Sequence, residues 1–173
     1  MRITTMTAAM AFGMAVGGAT ALAQEPRATA TLEPTKDSQT AGTVTFVQKG
    51  SSVQVTADVR GLTPNAEHGF HVHEKGDCSS GDGMSAGGHF NPDGVPHGNA
   101  QPSDGHAGDM PNLKADASGN AKATFDLAKM TVGEGKSSIV GKGLIVHKDP
   151  DDYKSQPTGN AGARLACGVI KAG

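Results

Sequence analysis

Thr43-Val44-Thr45-Phe46-Val47-Gln48-Lys49-Gly50-Ser51-Ser52-Val53-Gln54-Val55-Thr56-Ala57-Asp58-Val59 is two alternating runs around a turn. Val44 and Phe46 alternate with Thr43 and Thr45. Val53, Val55, Ala57 and Val59 alternate with Gln54, Thr56 and Asp58. A period of two places the apolar side chains on one face of a strand and the polar ones on the other, so each run reads as a half-buried strand. Lys49-Gly50-Ser51 makes the pair a hairpin. The pattern continues outward. Ala28, Ala30 and Leu32 alternate with Thr29 and Thr31 upstream. Phe70 to Glu74 follows downstream, then Leu113 to Ala115 and Ala121 to Leu127 around the turn Ala117-Ser118-Gly119-Asn120, then Gly143 to His147 and Leu165 to Ile170. This gives about eight strands and leaves no room for a helix of ordinary length. Strands with one apolar face must bury it against one another. The expected fold is therefore all-β, an eight-stranded antiparallel Greek-key β-sandwich or flattened barrel.

Two stretches break the pattern, Lys75 to Pro111 and Lys148 to Ala163. Structureless loops of this length are usually functional or disordered. The whole chain has 173 residues, the scale of one domain, with 25 glycines and 18% charged residues. Aromatics are 3% and Trp is absent, so aliphatic side chains must fill the core. Fifteen basic against 17 acidic residues give a net charge of −2 and no basic footprint for nucleic acid. No apolar run is long enough for a lasting membrane span.

Residues 1–23 read as an export signal. Arg2 supplies the positive end, Met6 to Ala21 are small and apolar, and Ala21-Leu22-Ala23 is a small-x-small cleavage site before Gln24. The mature domain is then 24–173, in the periplasm or secreted. No cysteine stands at the cleavage site to carry a lipid anchor. Export places Cys78 and Cys167 in an oxidising compartment, where such a pair is expected to close. A bridge across a loop of about 90 residues contributes roughly 4–5 kcal/mol in the chain-entropy picture.

The histidines carry the chemistry. His71 and His73, two apart on a strand, project to one face. Taken alone, the pair is as readily core packing as a ligand pair. Adding His147 on another strand and His89 at the head of the first loop gives four nitrogens, a donor set suited to copper or zinc rather than magnesium or calcium. His97, His106 and Asp109 follow in the loop. With His89 they make three nitrogens and one oxygen, the closed set of a structural zinc. His89 is counted twice because an imidazolate has two nitrogen donors and can bridge two metals. A cupin-type enzyme also uses His-x-His on a barrel, but it wants a glutamate a few residues on. Here Glu74 follows at once, and Gly76 and Asp77 fill the later positions.

From about residue 28 to 171 the chain resembles the copper-zinc superoxide dismutases. The resemblance rests on Gly69-Phe70-His71-Val72-His73-Glu74, Gly88-His89-Phe90-Asn91-Pro92, His106-x-x-Asp109, Leu144-Ile145-Val146-His147, and Gly159-Asn160-Ala161-Gly162-Ala163-Arg164-Leu165-Ala166-Cys167-Gly168. It implies copper on His71, His73, His89 and His147, and zinc on His89, His97, His106 and Asp109. It implies that Arg164 attracts and orients superoxide, that His89 takes up and delivers a proton, and that Asp151 links ligands of the two metals through hydrogen bonds. It also implies a Cys78–Cys167 disulfide. A homodimer is an assembly it allows, but the interface does not transfer, because Cys78 lies nearer His73 than in the animal enzymes, as in periplasmic bacterial ones. The second loop, Asp151 to Arg164, is shorter than in many animal enzymes, so strong electrostatic steering by it is not expected; Lys154 is a partial substitute. The competing expectation is an exported copper- or zinc-binding protein without turnover, which would need neither Arg164 nor the bridge.

Overall fold

The structure is a computed structural model that describes residues 24–100 and 104–173. The proposed export signal at 1–23 lies outside the described residues. Ten strands follow in chain order: β1 (Arg27–Pro34), β2 (Ala41–Lys49), β3 (Ser52–Arg60), β4 (Glu67–His68), β5 (Phe70–His73), β6 (Leu113–Lys114), β7 (Ala121–Leu127), β8 (Gly143–His147), β9 (Arg164–Val169) and β10 (Lys171–Ala172). The helical content of the described residues is one short 3-10 turn, Met84–Ala86.

The hairpin expected at residues 43–59 is β2–β3, with Lys49 paired to Ser52 across the turn. The main sheet runs β5-β8-β9-β1-β2-β3-β7, all antiparallel, with β10 added to β1. β4 and β6 form a separate short pair. Only Gly69 separates β4 from β5, so nearly the same stretch pairs with β8 at one end and β6 at the other. That curls the sheet toward a flattened barrel. The count exceeds the expected eight because short pieces at β4 and β10 pair locally. Two-residue strands carry no alternation to read.

Along β1, β2 and β3 the alternation appears as burial. Ala28, Ala30, Leu32, Val44, Phe46, Val53, Val55, Ala57 and Val59 are buried, and β1 shows exposed residues between them. β5 and β8 differ, being buried at every position. Phe70, Val72, Leu144 and Val146 face the main core. The opposite face carries His71, His73, Ile145 and His147, and the two long loops cover it. Ile145 packs there with Ala86 and Cys167 in a second small cluster. The site is thus the outer face of one edge of the sheet, roofed by loop.

Candidate metal centre

β5 supplies His71 and His73 from one face, opposite Ile145 and Gly143 of β8. His147 ends β8. The first long loop folds back onto the other edge of β5. Phe90 N–H donates to Val72 O at 2.8 Å, Val72 N–H to Gly108 O at 2.9 Å, and Glu74 N–H to Gly88 O at 2.9 Å. This edge pairing sets His89 beside His73 and Asp109 beside His71. Gly108 is required by the close approach, since a side-chain carbon there would meet the Val72 carbonyl and lie 3.0 Å from Phe90 N.

The result is two groups. One donor atom each from His71, His73, His89 and His147 lie within 4.8 Å of one another, and so do donors from His89, His97, His106 and Asp109. All seven residues are buried. His89 is common to both.

Hydrogen bonds on the far side of each ring fix which nitrogen is bare. His73 Nδ1–H donates to Gly87 O at 2.9 Å, and His147 Nδ1–H to Gly162 O at 3.2 Å. Their Nε2 atoms face each other at 3.4 Å. His71 Nε2–H donates to Asp151 Oδ2 at 2.7 Å, leaving Nδ1 buried without a partner. His89 Nε2 is likewise buried and unpartnered. A shared proton could join His73 to His147, but it would not satisfy the other two nitrogens. Four converging lone pairs fit a cation.

The second group converges on a carboxylate. Asp109 Oδ1 lies 2.8 Å from His89 Nδ1 and 3.2 Å from His106 Nδ1, and Oδ2 lies 3.0 Å from His97 Nδ1. His97 Nε2–H donates to Asp151 Oδ1 at 2.9 Å, so its Nδ1 is the bare atom. His97 Nδ1 and His106 Nδ1 are close to the carboxylate but lack hydrogen-bonding geometry. Backbone donors hold Asp109 from behind, His106 N–H at 2.8 Å and Gly98 N–H at 3.3 Å. Three nitrogens and one oxygen suit zinc, and four nitrogens suit copper. Asp151 bonds His71 of one group and His97 of the other.

Charge follows the same division. Burial and the neighbouring His71 push His147 down to about 3. Burial pushes His89 down to about 4, against the pull of Asp109. Burial and the His89 ring keep His73 well below its ordinary value. These rings are neutral donors. Burial would lower His97 too, but Asp109 and Asp151 outweigh it and raise it to about 9. Burial opposes the charge of Asp109, but the adjacent His106 ring, the hydrogen bond from His89, the adjacent His97 ring and the His106 N–H overcome that and hold it far below the carboxylate range. The carboxylate site demands positive charge, whether proton or metal.

Arg164 opens β9 directly opposite His147, where the ladder slips at Val146/His147. Its Nη1 donates to Gly83 O and its Nη2 to Gly87 O, each at 2.6 Å. Gly87 O therefore serves both Arg164 and His73. The Cys78–Cys167 disulfide, with Cα atoms 5.8 Å apart, ties this loop to β9 three residues beyond Arg164. His68, the seventh histidine, belongs to neither group; its Nδ1–H donates to His147 O at 2.9 Å. The sequence reading missed the carbonyls of Gly83 and Gly87, since a backbone acceptor has no side-chain signature. It also missed Asn112, whose side-chain amide accepts from Asp151 N–H and donates to Asp151 O, both at 3.0 Å.

Residues 40–170 match the family model described as copper/zinc superoxide dismutase. The chain is 43% identical over 134 residues to superoxide dismutase (Cu-Zn) 2 of Aquifex aeolicus, covering 75% of this chain and 78% of that protein. It is 48% identical over 144 residues to the superoxide dismutase (Cu-Zn) of Yarrowia lipolytica, covering 78% and 91%. A crystal structure of a SOD-like protein from Bacillus subtilis superimposes with a TM-score of 0.74 at 33% identity, over 82% of this chain and 96% of that one. The chain belongs to the copper/zinc superoxide dismutase family, with copper and zinc as its metals.

Proposed function

We propose that the mature domain, residues 24–173, is an exported enzyme that converts superoxide to dioxygen and hydrogen peroxide. The observation that carries this reading is His89, shared by two ligand groups of different composition, one nitrogen turned to each. Copper is assigned to His71, His73, His89 and His147, and zinc to His89, His97, His106 and Asp109. Copper held there supplies a one-electron acceptor and donor, which two superoxides and two protons need to become dioxygen and hydrogen peroxide.

The chain's own groups do the rest. Arg164 presents a charged, planar guanidinium beside His147, held in place by two carbonyls, and draws the small anion to that edge. His89 Nε2, whose partner nitrogen is anchored toward Asp109, is the atom that takes a proton and passes it to the departing peroxide. Asp151 fixes the rings of His71 and His97. Export agrees with the disulfide, which suits an oxidising compartment.

A binder of copper and zinc without turnover would need neither a ring shared between the two ligand groups nor the guanidinium held against Gly83 and Gly87. Metal analysis with a superoxide-consumption assay on purified mature protein separates the two. About one copper and one zinc with copper-dependent consumption is expected. A fully loaded protein without that activity would establish the binder.

A further inference from the structure

The short second loop has a structural task that its few charges do not suggest. We infer that Gln156 and Tyr153 form a clasp that holds the first long loop shut at His97, and that they are positioning residues for His97 and Asp151. This rests on the reading that His97 holds zinc.

His97 lies in an irregular stretch, and among the described residues no main-chain group pairs with its N–H or C=O. Gln156 meets both. Its Oε1 accepts from His97 N–H at 2.8 Å, and its Nε2–H donates to His97 O at 2.8 Å. A carboxamide has one acceptor and a donor side by side, so it can imitate the edge of a neighbouring strand. Gln156 is exposed as a residue, but its amide end is committed to His97 and, at 3.3 Å, to Lys154 O.

The same loop grips the other end of the residue. Asp151 Oδ1 takes the His97 Nε2–H and also accepts from Tyr153 N–H at 2.7 Å. The Tyr153 hydroxyl accepts from Asn112 N–H at 2.8 Å, and Asn112 in turn brackets the Asp151 backbone. Tyr153 sits at φ 59°, a left-handed conformation uncommon for a tyrosine. That backbone lets its N–H reach Asp151 and its hydroxyl reach Asn112. Gly159 closes the arrangement, because a side-chain carbon there would strike the Asp151 carboxylate and lie 2.7 Å from His97 Nε2. One stretch, residues 151–159, therefore fixes His97 by main chain and by ring. For zinc to leave, His97 must swing out, and such local opening is what these bonds suppress.

The test is the rate of zinc release from metal-loaded, disulfide-bonded mature protein into excess chromogenic chelator. Gln156→Ala should release zinc roughly tenfold faster, at the lower end of what lost outer partners cost a metal site, with copper retained. Gln156→Glu keeps an acceptor and loses the donor, and should fall between. Tyr153→Phe should speed release and also shift the copper absorption band, because Asp151 faces His71 as well. Lys154→Ala, an exposed side chain on the same loop, should release zinc at the wild-type rate. Wild-type rates for both Gln156 variants, or equal acceleration in Lys154→Ala, would overturn the clasp. Zinc still bound at full stoichiometry in His97→Ala would instead overturn the underlying zinc assignment.

Discussion

His89 and Arg164 make the sharpest claims at the scale of single residues. His89 offers one nitrogen to each ligand group, so His89→Ala should disturb both metals, whereas His97→Ala should chiefly weaken zinc. Some copper effect is still expected from His97, because Asp151 connects it to His71. Copper absorption and metal stoichiometry check this, and a native copper band with full zinc in His89→Ala would contradict it. Arg164→Ile should lower the second-order rate of superoxide decay by roughly tenfold or more at low and high salt alike, leaving metal content intact. Contact docking is less screened than steering from beyond about 8–10 Å. Arg164→Lys should fall between, keeping charge and losing the planar fork that spans Gly83 and Gly87. The residue types of both ligand groups were legible in the sequence; Arg164 and Asp151 entered only through the family resemblance. Gln156 and Tyr153 were not, since an exposed glutamine and a loop tyrosine look like solvated side chains until their partners are placed.

At the scale of elements, β5 and β8 show where reading by alternation stops. Phe70-His71-Val72-His73 has the pattern of a strand with one wet face, yet both faces are buried. The outer face is covered by loops whose path depends on distant pairing, Phe90 to Val72 and Val72 to Gly108, which no local pattern encodes. The slip at Val146/His147 that sets Arg164 opposite His147 is invisible for the same reason. The hairpin β2–β3 was legible because its information is local. The disulfide has an element-scale role, holding the Gly83–Gly87 turn against β9. Replacing both cysteines by serine should cost stability on the order of 4–5 kcal/mol. It should also slow superoxide consumption, because Arg164 loses its fixed acceptors. Denaturant unfolding and stopped-flow decay measure the two effects, and an unchanged unfolding midpoint would contradict the first.

For the whole molecule, metal binding and folding are linked. Seven buried polar side chains converge on two points that nothing but a proton or a cation can satisfy. A ligand that binds the native state alone at a thousandfold excess over its Kd contributes about 4 kcal/mol. For a chain of this size that corresponds to roughly 8–16 °C in melting temperature. Removing zinc and copper with chelator should therefore lower the midpoint by at least about 8 °C, reversibly on reloading. Calorimetry on the disulfide-bonded protein checks it, and equal midpoints with and without metal would mean that these residues are satisfied some other way. The most direct test is anomalous diffraction from crystals of the metal-loaded protein, residues 24–173, recorded on both sides of the copper and zinc absorption edges. Expected are a copper peak among His71, His73, His89 and His147, a zinc peak among His89, His97, His106 and Asp109, and the His89 ring between them. A single peak, exchanged metals, or a His89 ring in contact with neither would contradict it.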